Sequence, residues 1–360
     1  MKYLLYPISL LYGAIMGLRN FLFDHKLLRS ESFCLPILSV GNITVGGTGK
    51  TPHVEYLVRL LQQQAYRIAV LSRGYGRRTK GFMTLSTTAH AEQVGDEPLQ
   101  IKLKYPDVTV AVDEKRVDGV NRLLESDPTI EAIILDDAFQ HRYIKPSLSI
   151  LLIDHARPID KDMLLPAGRL REAASGIGRA DIVIISKCPP SLIPSEHEAC
   201  YRRQLRLRPE QQLYFTSICY DQELKAACDN RTCNLSDIAS DALLILVTGI
   251  ASPTLLYNEM KQYFQQISLL TFPDHHKYSI NDIRHIQHEW EQAGNRPKYI
   301  VTTEKDVMRF REGIVADYSF YRSLYYLPIQ IVFKGDGAIK FNQTIYNHVS
   351  SHQRNSRIHT

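Results

Sequence analysis

The chain has 360 residues, 44% apolar and 22% charged, with a formal net charge of +5 at neutral pH. At roughly 150 residues per domain this is enough for about two domains with cores of their own, and an ordinary composition without tracts or repeats excludes disordered and solenoid architectures. The six cysteines form no CxxC pair and match no zinc spacing, so neither a disulfide framework nor a cysteine metal site is expected; so small a positive excess cannot separate a nucleic-acid partner from an anionic lipid or a phosphorylated substrate and only ranks acidic partners slightly higher.

In chain order, residues 3–18 carry no charge and are followed by Arg19, Lys26 and Arg29. The run is shorter than the ~20 apolar residues of a spanning helix, contains Pro7, Gly13 and Gly17, and is not followed by a small-x-small cleavage site. Residues 1–33 are therefore read as an interfacial helix and its exit. Leu4, Leu5, Ile8, Leu11, Ile15 and Leu18 would enter the acyl boundary of an anionic membrane surface, with Arg19, Lys26 and Arg29 at lipid phosphates. A terminal helix packed on the protein core is the competing reading.

An apolar run at 35–42 ends in a glycine-rich turn, and helical periodicity follows over 52–64, giving strand, loop, helix. Apolar runs at 67–74, 108–112, 131–137, 148–154 and 180–187 read as buried parallel strands whose functional loops leave the carboxyl ends. Residues 211–220 read as an exposed strand. A second block alternates strands at 242–250, 267–272 and 298–306 with helices at 255–264 and 280–294, and 324–333 would return to pair with 211–220. The expected fold is α/β, with two α/β/α domains. A P-loop NTPase-like first domain covers 34–213, completed by 334–360, and a smaller second domain at 214–333 is joined to it by a two-stranded ribbon.

Thr44-Val45-Gly46-Gly47-Thr48-Gly49-Lys50-Thr51 lies between a strand and a helix, the setting that turns a glycine-rich string into a phosphate cradle. Backbone amides would wrap the phosphates, Lys50 would reach the β and γ oxygens of ATP, and Thr51 would offer its hydroxyl to Mg2+. Thr44 replaces the first glycine of the strict pattern. Asp136 and Asp137, at a strand end, are candidates for the magnesium opposite Thr51. Asp96 and Glu97 open a helix after Gly95. One of them would accept the proton of an attacking hydroxyl, directly or by orienting a histidine, while the other supports the metal. Arg73, Arg77 and Arg78 in one loop, and Arg169 and Arg171 in another, are candidate phosphate contacts. Asp274 precedes His275 and His276, and an acid-paired histidine is a natural proton acceptor.

The ordered motifs GNITVGGTGKTP, SRGYGRR, GDEP, DDAFQH, LLPAGRLRE, TGIASP, DHHKYS and VTTEKD resemble those of the tetraacyldisaccharide 4'-kinase family of the lipid A pathway. The resemblance implies transfer of the ATP γ-phosphate to the 4'-hydroxyl of a tetraacyl disaccharide 1-phosphate. It also implies a magnesium requirement and a peripheral place on the cytoplasmic face of the inner membrane, and the chain is read as a monomer. It further implies that Asp96 and His275 activate the sugar hydroxyl, that Glu97, Asp136 and Asp137 serve the metal, and that Arg171 clamps phosphate. The alternative is a nucleotide-switch ATPase of the partition or metallochaperone type. That class would show a signature lysine early in the loop, where Val45 stands.

Overall fold

The structure, a computed structural model, describes residues 2–229, 231–239, 241–250, 253–274, 276–310 and 319–358. The chain runs α1 (Lys2–Asp24), β1 (Ile37–Asn42), α2 (Lys50–Gln62), β2 (Ile68–Ser72), β3 (Met83–Thr84), α3 (Ala91–Val94), α4 (Asp96–Lys104), β4 (Thr109–Val112), α5 (Arg116–Ser126), β5 (Ala132–Asp136), β6 (Leu148–Asp154), β7 (Ile182–Ser186), α6 (Pro194–Gln204) and β8 (Gln212–Tyr220). It continues through β9 (Glu223–Ala226), β10 (Thr232–Asn234), β11 (Leu243–Thr248), α7 (Thr254–Met260), β12 (Gln266–Thr271), α8 (Ile280–Gln292), β13 (Lys298–Thr303), α9 (Glu304–Phe310), β14 (Leu324–Leu327), β15 (Ile329–Phe333) and α10 (Gly337–Ile358).

Two sheets result, one ordered β15-β8-β7-β6-β1-β5-β2-β4-β3 and the other β10-β9-β14-β13-β11-β12. From β7 to β4 the first sheet is parallel, so helices cover both faces and its strands read as unbroken apolar runs. Leu57 and Leu61 of α2 pack on one face beside Phe341, Ile345 and Val349, the apolar stripe of α10. Val120 and Leu123 of α5 pack on the other. The strand that feeds the glycine-rich loop, β1, is thereby central, with every residue buried.

The expected ribbon takes a different form. Gln212–Phe215 extends the main sheet parallel to β7 and is largely buried, so 211–220 is not simply an exposed strand. Only Thr216–Tyr220 pairs antiparallel with β15. The run at 324–333 is two strands in two sheets, because Pro328 lacks the amide that would continue the ladder. The strand expected to reach residue 306 stops at Thr303, and Glu304, Lys305 and Asp306 open α9, where acidic side chains favour a helix N-terminus. The two sheets meet at a buried ion cluster. Lys104 of α4 donates to Glu55 of α2 at 2.7 Å and to Glu304 of α9 at 2.9 Å, and Glu304 also accepts the amide of Ile329 at 3.3 Å. Burial pushes Glu55 up to about 7, against the pull of Lys104.

Helix α1 is packed on the protein along one side and exposed along the other. Its polar stripe docks: Ser9 accepts the amide of Ala167, the Tyr12 hydroxyl donates to the Arg171 carbonyl at 2.7 Å, and Asn20 donates to Glu172. The opposite face leaves Ile8, Leu10, Leu11, Ile15, Leu18 and Phe21 more than half exposed. Arg19 is not directed to lipid phosphates as expected. It donates to the Gln140 carbonyl at 3.0 Å and lies over the rings of Phe23 and Tyr143. Among the described residues no helix is long and apolar enough to cross a membrane.

Candidate active site

Between β1 and α2 the loop turns at Gly46 and Gly49, with φ of +102° and +85°, where a side chain would strain the backbone. Its carbonyls are tied outward. Ser186 at the end of β7 donates to the Thr48 carbonyl at 2.8 Å, Lys187 to that of Gly47, and His53 Nδ1 to that of Gly49 at 2.7 Å. Burial lowers His53 to about 4, so the ring is neutral and its Nε2 accepts the Thr216 hydroxyl at 3.1 Å. Thr48 is itself buried and accepts from Asn42 at 2.8 Å. With the carbonyls occupied, the amides are left for an anion at the positive end of α2. On the far side, Thr44 and Val45 run antiparallel to Arg169, Leu170 and Arg171, which brings the arginine loop against the cradle.

β5 ends at the two aspartates and the chain then bends sharply, Asp137 having a φ of +49°, so the carboxylates part. Asp136 is fully buried. One of its oxygens accepts Ser72 at 3.0 Å, while Oδ1 has no partner. Burial, with the charges of Glu97 and Asp137 nearby, pushes it up to about 7. Asp137 accepts Arg171 at 2.9 and 3.0 Å and pairs with Lys50 at 3.5 Å. Although burial alone would raise it, these cations hold Asp137 below the usual carboxylate range. Lys50, Asp137 and Arg171 thus form one cluster beside the loop.

Across from them, Gly95 with φ +94° lets the chain enter α4; a side chain there would meet the Tyr75 carbonyl at 3.0 Å. Asp96 and Glu97 face α9: Arg309 grips Asp96 through Nη2 and Nε at 2.6 and 2.9 Å, and Lys305 lies 3.8 Å from Glu97. His275 lies outside the described residues. Its neighbour His276 donates to Asp282 at 3.0 Å, in the capping box that opens α8, and stacks on Phe272. In the first basic loop, Arg77 and Arg78 form ion pairs with Glu114 and Glu92, whereas Arg73 is exposed at the end of β2.

Sequence reasoning missed four residues at this site. Arg116 is fully buried behind the aspartates, donating to the carbonyls of Asp113 and Asp136, and burial lowers it to about 10. Glu172 is buried between Arg179, Gln140 and Asn20. Lys187 holds the loop, and Arg309 holds Asp96. Only Arg116 carried a sequence signal, since DEKR follows an apolar strand in the same way as DDAFQH.

The sequence model of a family described as Tetraacyldisaccharide-1-P 4'-kinase matches residues 1–349. A tetraacyldisaccharide 4'-kinase of Bacteroides thetaiotaomicron is 45% identical over 360 residues, covering 98% of this chain and 94% of that protein. One of Flavobacterium johnsoniae is 43% identical over 333 residues, 92% and 93% of the two chains. Among solved structures, LpxK from Aquifex aeolicus in complex with ATP superposes with a TM-score of 0.71 at 27% identity, over 97% of this chain and 99% of that one. None of these similarities favours the switch-ATPase alternative.

Proposed function

The chain belongs to the tetraacyldisaccharide 4'-kinase family, and from that premise we propose how its residues divide the work of an ATP-dependent phosphotransferase acting on a lipid disaccharide. Residues 44–51 cradle the ATP phosphates. Lys50 and Arg171, paired with Asp137, share their charge with the β and γ oxygens, so Asp137 sets where the two cations sit. The 4'-hydroxyl oxygen attacks the γ-phosphorus while its proton passes to His275, supported by Asp96. The bond from phosphorus to the bridging oxygen breaks, and ADP leaves with the electron pair.

The donor set suits magnesium. Among the described residues no three or more His, Cys, Asp or Glu side chains form a cage, and magnesium is ordinarily held by one or two carboxylates with phosphates and water. Asp136, with its unpartnered buried oxygen, would hold it with Thr51 and Glu97. The ion would neutralise charge on the transferring phosphate. Asp137, expected among the metal residues, would contribute mainly by anchoring the two cations. Because Asp136 is raised to about 7, it must lose a proton to bind. Apparent Mg2+ affinity is therefore expected to fall by up to about tenfold per pH unit below 7 and to level off above it; a flat magnesium titration from pH 6 to 8 would remove Asp136 from the cation site.

The observation that carries this reading is the single cluster of Lys50, Asp137 and Arg171 beside the loop, one residue from Asp136. Incubation with γ-labelled ATP and the disaccharide in detergent is expected to label the lipid. ATP hydrolysis with no label in lipid would overturn it.

The lipid acceptor gives the exposed face of α1 a purpose: the protein works as a monomer, peripheral on the cytoplasmic face of the inner membrane, with α1 in the interface. The second domain would carry His275 and close over the nucleotide. Leu11→Glu with Ile15→Glu is expected to weaken binding to anionic vesicles by at least about tenfold per residue, while turnover of detergent-dispersed acceptor persists. Unchanged flotation with vesicles would show that α1 is not the anchor.

A further inference from the structure

Resting on the reading of Asp96 as part of the acceptor-activating pair, we propose that Arg309 is the positioning residue that sets Asp96 and the histidine loop relative to one another. The geometry is a two-sided grip. Toward the first sheet, the Nε and Nη2 groups of Arg309 both donate to one oxygen of Asp96, at 2.9 and 2.6 Å. Toward the second, Nη1 donates to Asp306 at 2.9 Å and reaches the His276 carbonyl at 3.4 Å. One planar guanidinium therefore binds the carboxylate at the start of α4 and the backbone next to position 275. A fork of fixed geometry can do this, and a point charge on a flexible stem cannot.

Arg309 is in turn held from behind. Asp306 is fully buried, and its other oxygen accepts the amide of Gly249 at 2.9 Å and the hydroxyl of Thr303 at 2.8 Å. Those partners sit at the ends of β11 and β13, so the arginine is fixed to the crest of the second sheet. Glycine is required at 249, since a side chain would come within 2.9 Å of Asp306. One turn earlier on α9, Lys305 lies 3.5 Å from Asp274 and 3.8 Å from Glu97. The helix thus contacts residues 274 and 276 on one side and Asp96 and Glu97 on the other. The hydrogen bonds described for Arg309 go to Asp96, Asp306 and His276, which lie outside residues 44–51. A buried cation of this kind could serve stability alone, so the test must separate positioning from folding.

The test is steady-state kinetics of the full chain in detergent with ATP and the lipid disaccharide, comparing Arg309→Leu, Arg309→Lys, Asp96→Asn and the double variant Asp96→Asn/Arg309→Leu, each checked for its melting transition. Misplacing a reacting group by about 1 Å costs on the order of 10²-fold. Arg309→Leu is therefore expected to lower kcat by about that factor with KM for ATP unchanged within about threefold, and Arg309→Lys to recover only part of it. If Arg309 acts through Asp96, the double variant is no slower than Asp96→Asn alone. Losses that multiply, or a kcat for Arg309→Leu within threefold of the parent while Asp96→Asn is inactive, would overturn the inference and leave the assignment of Asp96 standing. An active Asp96→Asn would overturn that assignment instead. Should Arg309→Leu fail to fold, Arg309→Lys alone and combined with Asp96→Asn gives the same cycle.

Discussion

Lys50→Ala is expected to lower phosphoryl transfer by at least about 10²–10³-fold, the cost of removing one preorganised charge from a transition state. The variant should still fold. Lys50 is one of two cations on Asp137, and Arg171 still donates from Nη1 to both oxygens of that carboxylate at 2.9 and 3.0 Å. No buried carboxylate is left bare, and the loop keeps the bonds that shape it, from Ser186, Lys187 and His53 to its carbonyls. The measurement is the single-turnover rate of label transfer beside a thermal melt. A rate within tenfold of the parent would mean that the charge of Lys50 is not what the transferring phosphate meets.

His275→Ala should slow transfer by about 10²–10⁴-fold, the range for loss of a positioned acid–base group, with ATP affinity retained because no part of the cradle is altered. Its neighbour is the control. His276 is committed to Asp282 and to Phe272, so His276→Ala should lower the melting temperature more than it lowers the rate. A loss of less than about tenfold for His275→Ala would move proton acceptance to Asp96 alone.

The same contrast shows where sequence reasoning reached and where it stopped. HH in a loop offers two equivalent imidazoles to the eye. The capping box at Ser279 and Asp282 takes His276 as a third member, a contact that the pair of letters does not announce. DDAFQH likewise reads as two metal ligands side by side. The left-handed turn at Asp137 sends one carboxylate into the core and the other to Lys50 and Arg171, and that backbone angle is uncommon in a non-glycine residue. The N-terminal helix was legible from its charge-free run, but the role of Arg19 was not, because it depends on Gln140 and Tyr143, which are distant in sequence.

By itself the sequence determined the α/β alternation, the phosphate loop and a helix after it, the helix starts at Asp96 and Ile280, and the family. All of these follow from local periodicity, glycine placement and the order of motifs. Tertiary structure alone decided which charges neutralise one another: Arg309 with Asp96, Lys104 between Glu55 and Glu304, and Arg171 with Asp137. It also divided 324–333 between two sheets. The reason is physical. A side chain's periodicity reports only whether it faces a core, whereas the partner of a buried charge is set by desolvation and by whichever opposite charge the packed elements bring within about 3 Å of it.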